Sequence, residues 1–153
     1  MSVAFRRESD EEHLEPRFEV LLPPGPNLVT PAGLARITGR IAALEADLPQ
    51  LTDEVGLAAA KRDLRYWQAR LATAEVQPAA SGETVAFGCR VQFRRGGKLR
   101  EIVIVGTDEA DPAQGWLAFT APLARALMGA ATGEQVAFAG QDEAIEIMNI
   151  TPL

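Results

Sequence analysis

Between Val29 and Pro78 the apolar residues fall three and four apart, whereas beyond Ala79 they alternate every second position. The first period predicts helices and the second predicts strands. Thr30 and Pro31 open the helical part. Thr30 suits the N-cap, where its hydroxyl can accept a backbone N–H, and Pro31 suits N1, where a missing donor costs nothing. Leu34, Ile37, Ile41, Leu44, Leu48, Leu51 and Val55 then make one a/d seam. Pro49 interrupts this run and predicts a kink. Gly56 stands where a C′ glycine would stop the helix. A second seam runs through Leu57, Ala60, Leu64, Trp67, Leu71 and Ala74 before Pro78 closes the segment. Two arms of similar length joined at Gly56 predict an antiparallel two-helix coiled-coil hairpin. The alternative places the turn at Leu48-Pro49-Gln50, with Thr52 capping a longer second helix. Gly56 is preferred because it equalises the arms and keeps the first seam whole.

From Ala79 onward, Cys89, Val91 and Phe93 alternate with Arg90, Gln92 and Arg94. Arg95-Gly96-Gly97-Lys98 reads as a hairpin turn, and Leu99 to Val105 returns as a strand. Trp116 to Phe119 predicts a third strand, and Thr120-Ala121-Pro122 opens a short helix ending at Gly129. Gln135 to Phe138 and Ala144 to Ile150 supply two more strands. The fold class expected is α+β, with an antiparallel, strongly curved sheet and one short helix after the hairpin. The domain boundaries expected are a charged, partly disordered arm over 1–28, the helical hairpin over 29–77 and the sheet domain over 78–153. Val20-Leu21-Leu22 could dock on the body or stay free.

Composition narrows the chemistry. Hydrophobic residues make up 47% of 153, enough for one core or two small ones. No apolar run approaches the ~20 residues of a membrane span. The N-terminus lacks the apolar core of a signal peptide, so a cytoplasmic protein is expected. One cysteine, Cys89, and one histidine, His13, leave no disulfide framework and no structural zinc site. No metal, cofactor or catalytic residue is therefore assigned, and an enzyme is not expected. The net charge of −6 argues against nucleic acid as a direct partner. Charge is unevenly spread within the helical segment: Glu45, Asp47, Asp53 and Glu54 lie near its middle, and Arg36, Arg40, Lys61, Arg62, Arg65 and Arg70 toward its ends.

The most specific stretch is Ile104-Val-Gly-Thr-Asp-Glu-Ala-Asp111, followed by Thr120-Ala-Pro-Leu-Ala-Arg-Ala-Leu-Met-Gly129 and preceded by Phe87-Gly88. These motifs resemble the C-terminal domain of the GreA/GreB transcription elongation factors, and the likeness extends more loosely back to about Asn27. The resemblance implies an FKBP-like C-terminal domain and a hairpin that enters the secondary channel of bacterial RNA polymerase. In that family, acidic residues at the hairpin tip help hold a magnesium ion that activates water for cleavage of backtracked RNA; such a cation takes oxygen ligands and lowers the pKa of bound water.

Here the chain departs from the pattern. The family tip reads Gly-Asp-Leu-x-Glu-Asn-x-Glu-Tyr, whereas Gly56-Leu57-Ala58-Ala59-Ala60-Lys61 carries no carboxylate at the matching positions. The interval from Thr30 to Ala74 is shorter than the family's by about 22 residues, about 11 per arm, which at roughly 1.5 Å per residue removes on the order of 16 Å of reach. That shortening is similar to the regulator-of-nucleoside-diphosphate-kinase proteins. Asp53 and Glu54, beside Gly56 at the expected tip, could stand in for the acidic pair or be a solvated helix end. Pro122, Leu123 and Ala124 match the loop and helix start that rest on the polymerase rim, or they anchor the core. The segment Asp108-Glu109-Ala110-Asp111, Asp108 and Asp111 above all, could position a basic partner, or form a solvated turn. The basic turn from Arg94 to Arg100 could touch an acidic surface, or be solvated. The reading that follows is a monomeric, polymerase-binding modulator of elongation that does not stimulate cleavage. The alternatives are a cleavage-stimulating factor using Asp53 and Glu54, and a coiled-coil adaptor or nucleoside diphosphate kinase regulator.

Overall fold

Pro49 decides where the helical part folds back. The computed structural model describes residues 19–153, and in it the first helix, α1, spans Pro31–Asp47. A single 3-10 turn, Leu48–Gln50, follows, and the second helix, α2, runs over Glu54–Thr73. Pro49 has no N–H to donate and its ring crowds the preceding turn, so α1 ends just before it. Asp53 then starts α2 as N-cap, its Oδ2 accepting the Gly56 N–H at 2.7 Å. The turn expected at Gly56 therefore lies at residues 48–53 instead, close to the alternative reading, with Asp53 rather than Thr52 as the cap. Gly56 sits inside the first turn of α2. Val55, placed in the first seam by its spacing, is 78% exposed because it belongs to the other helix.

The two helices pack on each other with Ile37, Leu44 and Ala60 buried between them. Their outer ends are joined by a pair of three-residue strands that the alternating pattern did not announce. β1, Asn27–Val29, pairs in parallel with β2, Ala74–Val76, through Asn27↔Ala74 and Val29↔Val76. Asn27 and Leu28, assigned to the charged arm, thus belong to the folded body. Val20, Leu21 and Leu22 remain largely exposed, while Glu19 meets Arg65 on α2 in a two-pronged ion pair at 2.5 to 3.1 Å. The expectations for the rest of the arm, His13 included, fall on residues 1–18 and lie outside the described residues.

The second half is a five-stranded sheet in the order β5-β4-β3-β7-β6. Its strands are β3 (Cys89–Arg95), β4 (Lys98–Val105), β5 (Trp116–Ala118), β6 (Gln135–Phe138) and β7 (Gln141–Pro152). Gly96 and Gly97, both at positive φ, form the two-residue β3–β4 turn. The short helix α3, Pro122–Leu127, lays Ala124 and Leu127 on a core made by Val91, Phe93, Ile102, Ile104, Ile145 and Ile147. Cys89 is a fully buried part of that core.

The sheet is mixed, not wholly antiparallel: β4 and β5 run parallel, with Val103↔Trp116 and Val105↔Ala118. A parallel pair cannot be closed by a tight turn, so the chain must travel back from the end of β4 to the start of β5. It does so through two 3-10 turns, Thr107–Glu109 and Pro112–Gln114. That return path carries the acidic motif to the base of the helical hairpin.

Candidate functional site

Thr30 caps α1 as expected, its Oγ accepting the Gly33 N–H at 3.0 Å. In the usual capping box, a Glu at N3 reaches back to the N-cap backbone N–H. Here N3 is Gly33, and the carboxylate comes from Glu109, 79 residues beyond Thr30. Glu109 Oε2 accepts the Thr30 N–H at 3.2 Å and the Gly106 N–H at 3.2 Å. Its Oε1 accepts the Thr30 hydroxyl proton. Glu109 is only 5% exposed, yet each carboxylate oxygen has a donor, and the positive end of α1 faces it.

Two glycines make this approach sterically possible. A Cβ on Gly33 would overlap the Glu109 carboxylate, and one on Gly106 would overlap the Leu28 carbonyl oxygen. Both are close-contact glycines, where the absent side chain is what the packing requires.

Asp108, next to Glu109, reaches the other helix. Its Oδ2 accepts from Arg70 Nε at 2.6 Å and its Oδ1 from the Tyr66 hydroxyl at 2.5 Å, both on α2. The Arg70 and Asp108 side chains are 5% and 8% exposed. Arg70 Nη2 donates to Asn27 Oδ1 at 2.7 Å, and Asn27 Nδ2 donates to the Arg70 carbonyl oxygen at 2.8 Å. Burial, then the hydrogen bond to Asp108 and the Asp108 charge, push the Tyr66 phenol up to about 12, with the Arg70 charge opposing. The dipeptide Asp108-Glu109 thus grips the hairpin at both helices.

The residues singled out from the sequence therefore scatter. Asp108 is engaged inside the chain and presents little surface to a partner. Asp111 is exposed but closes its own turn, through a backbone N–H to the Trp116 carbonyl oxygen at 2.7 Å. Pro122 is displayed at the start of α3, Leu123 is half-buried against the core, and Ala124 is fully buried. Of those three, Ala124 has no surface to offer a partner. Asp53 and Glu54 lie at the hairpin turn, both exposed, with one Asp53 oxygen occupied by its capping bond. In the basic β3–β4 turn, Arg95 stacks on Phe138 with 4.8 Å to the ring centroid, while Lys98 and Arg100 are exposed. Among the described residues, no group of three or more His, Cys, Asp or Glu side chains could hold a metal ion. No described helix is long and apolar enough to cross a membrane.

Asn27, Thr30, Gly33, Tyr66, Arg70 and Gly106 were not selected as site residues from sequence. One local feature marks the Thr30 end alone: a Thr-Pro-x-Gly helix start leaves N3 without the carboxylate that usually completes the box, and so leaves room for a carboxylate from another segment.

The family model for the C-terminal part of the GreA/GreB transcription elongation factors matches residues 79–152. A GreA of Desulfovibrio desulfuricans is 34% identical over 85 residues, covering 53% of this chain and 51% of that protein. A GreB of Xanthomonas axonopodis is 30% identical over 126 residues, covering 66% of this chain and 75% of its own. The chain spans about half the length of the GreA relatives it matches, 51% and 48% for the first two. Among solved structures, GreA factor homolog 1 of Thermus thermophilus overlays on 83% of this chain and 99% of its own, with a TM-score of 0.40 and 18% identity. With the C-terminal match and a GreB relative 30% identical and covered to 75% of its length, this chain belongs to the GreA/GreB family of transcription elongation factors.

Proposed function

We propose that this protein docks its sheet domain, of FKBP-like architecture, on bacterial RNA polymerase and directs the helical hairpin into the secondary channel. There it modulates elongation by occupancy and supplies no catalytic group, so it is not an enzyme. It acts as a monomer in the cytoplasm, with little direct contact to nucleic acid. The observation that carries this reading is the hairpin's extent. At about 1.5 Å per residue, the 17 residues of α1 span about 26 Å and the 20 of α2 about 30 Å. A shaft of that length fits the shortening read from the sequence. The capping bond on Asp53 further weakens its claim to a metal, because the oxygen that accepts the Gly56 N–H has a lone pair already in use.

Retention on immobilised core polymerase is the direct test, with Pro122→Asp as a variant altered on the exposed start of α3. Wild-type retention that the variant loses supports the docking reading; equal absence of retention from both removes it. Cleavage stimulation is a second reading, favoured only by the position of Asp53 and Glu54 at the turn. It requires RNA release from stalled complexes that disappears in Asp53→Asn/Glu54→Gln.

A further inference from the structure

We infer that the Asp108-Glu109 pair positions the hairpin, holding it at two separate points so that the hairpin and the sheet domain move as one body. Glu109 holds the N-terminus of α1 through the Thr30 N–H and hydroxyl. Asp108 holds the last part of α2 through Tyr66 and Arg70. One attachment would leave the hairpin free to swivel; two, on different helices, fix its direction. Both attachments come from a single 3-10 turn, Thr107–Glu109, that is itself tied down between β4 and β5.

The arrangement is specific to a latch and is not required for helix formation. A helix start can be capped from within by Glu at N3. This chain instead leaves N3 as Gly33, whose missing Cβ is the space the Glu109 carboxylate occupies. The cap is thus provided by the domain against which the hairpin must be aimed. The same logic applies at α2, where the Arg70 guanidinium is nearly buried and is shared between Asp108 and Asn27. The functional consequence rests on the proposed polymerase docking: a sheet domain and a hairpin that bind together gain from being held in one geometry.

The test uses the full chain with cysteines at the exposed positions Gln50, in the hairpin turn, and Lys98, at the start of β4, spin-labelled for pulsed dipolar distance measurement. Cys89 is fully buried and is left in place. The wild type should give one narrow distance. Asp108→Ala/Glu109→Ala should broaden it, by about 5 Å for every 10° of swivel at the end of a ~30 Å shaft. Each single substitution leaves one attachment and should broaden it less; either single serves if the double variant fails to fold. The discriminating variant is Gly33→Glu/Glu109→Ala, which moves the capping carboxylate onto α1. It should keep wild-type helical content, read by circular dichroism, without restoring the narrow distance. A narrow distance in the double alanine variant or in this swap overturns the inference, as does a broad one in the wild type. In the polymerase retention assay, the double alanine variant should bind about tenfold more weakly. Failure of the wild type to bind would remove the docking proposal and leave the distance result to decide the latch.

Discussion

The contact between Arg70 and Asp108 sets a measurable energy on the joint between the two halves. The pair is separated by 2.6 Å with side chains 5% and 8% exposed, so neither charge has much water to fall back on. Removing one partner from a buried pair typically costs about 3 to 5 kcal/mol, because the survivor is left buried and uncompensated. Arg70→Met leaves Asp108 with the Tyr66 hydroxyl, which places the expected loss near the low end, about 3 kcal/mol. Asp108→Leu leaves Arg70 with Asn27 Oδ1 and should cost about as much. Combined, the two substitutions remove both charges, so the double variant should lose at most about 3 kcal/mol, the cost of leaving Tyr66 and Asn27 without these partners, and not the sum of about 6. The expected coupling is therefore at least about 3 kcal/mol.

The protein's two tryptophans, Trp67 in α2 and Trp116 in β5, allow each half to be followed separately. With Trp116→Phe, urea unfolding monitored by fluorescence reports the hairpin; with Trp67→Phe it reports the sheet domain. A 3 kcal/mol loss moves the hairpin midpoint down by about 1 to 3 M urea at ordinary slopes. The sheet-domain reporter should move less, since its core from Val91 to Ile147 is untouched. Additive single variants, with coupling below about 0.5 kcal/mol, would refute the reasoning, as would an unmoved hairpin midpoint in Arg70→Met.

Gly106→Ala should cost about 1 to 3 kcal/mol by the same hairpin reporter, because its Cβ would meet the Leu28 backbone, which cannot step aside. Asp53→Ala should lower hairpin stability by about 1 kcal/mol, whereas Asp53→Asn should preserve it, since the amide oxygen can still accept the Gly56 N–H. Ala139, at φ 53 in the β6–β7 turn, should accept Asn with a gain of about 0.5 to 1 kcal/mol, read as a higher urea midpoint of the sheet domain. Tyr66 has a raised pKa in the folded state, from 10 to about 12, so its contribution is fully present below pH 10 and is lost as pH rises through 12. Hairpin midpoints measured from pH 8 to 12 should fall more steeply in wild type than in Tyr66→Phe; parallel curves would remove this assignment.

Period and turn chemistry made most of the fold legible. Alternation identified β3 and β4, Gly96-Gly97 fixed their turn, and the three-four spacing with Thr30 and Pro31 marked α1. Where two signals competed, the choice of the stronger one was the difficulty. A seam kept unbroken through Leu51 and Val55 pointed to Gly56, but a proline inside a helix costs about 3 kcal/mol or more, and Pro49 ended α1 first. The parallel β4–β5 pair was not legible, because alternation says which residues share a face and nothing about strand direction. The joint was not legible for a further reason. Asp108 and Glu109 sit in a loop with no period, and their partners on the hairpin, Arg70, Tyr66 and Thr30, are 38, 42 and 79 positions away. Acidic residues in such a loop usually meet water, and only the return path to β5 brings these two against the helices.

The joint also gives the acidic motif a role where no metal or catalytic group is assigned to it. Swivel at the base is magnified at the hairpin turn in proportion to arm length, so that 10° displaces the end of a ~30 Å shaft by about 5 Å. A protein acting by occupancy needs that end in a defined place as much as one acting by chemistry does. Two carboxylates on adjacent residues, one seated on each helix, supply this definition. The Asp108-Glu109 pair then acts through geometry: exchanging both for solvated residues would leave both halves folded and their mutual direction lost.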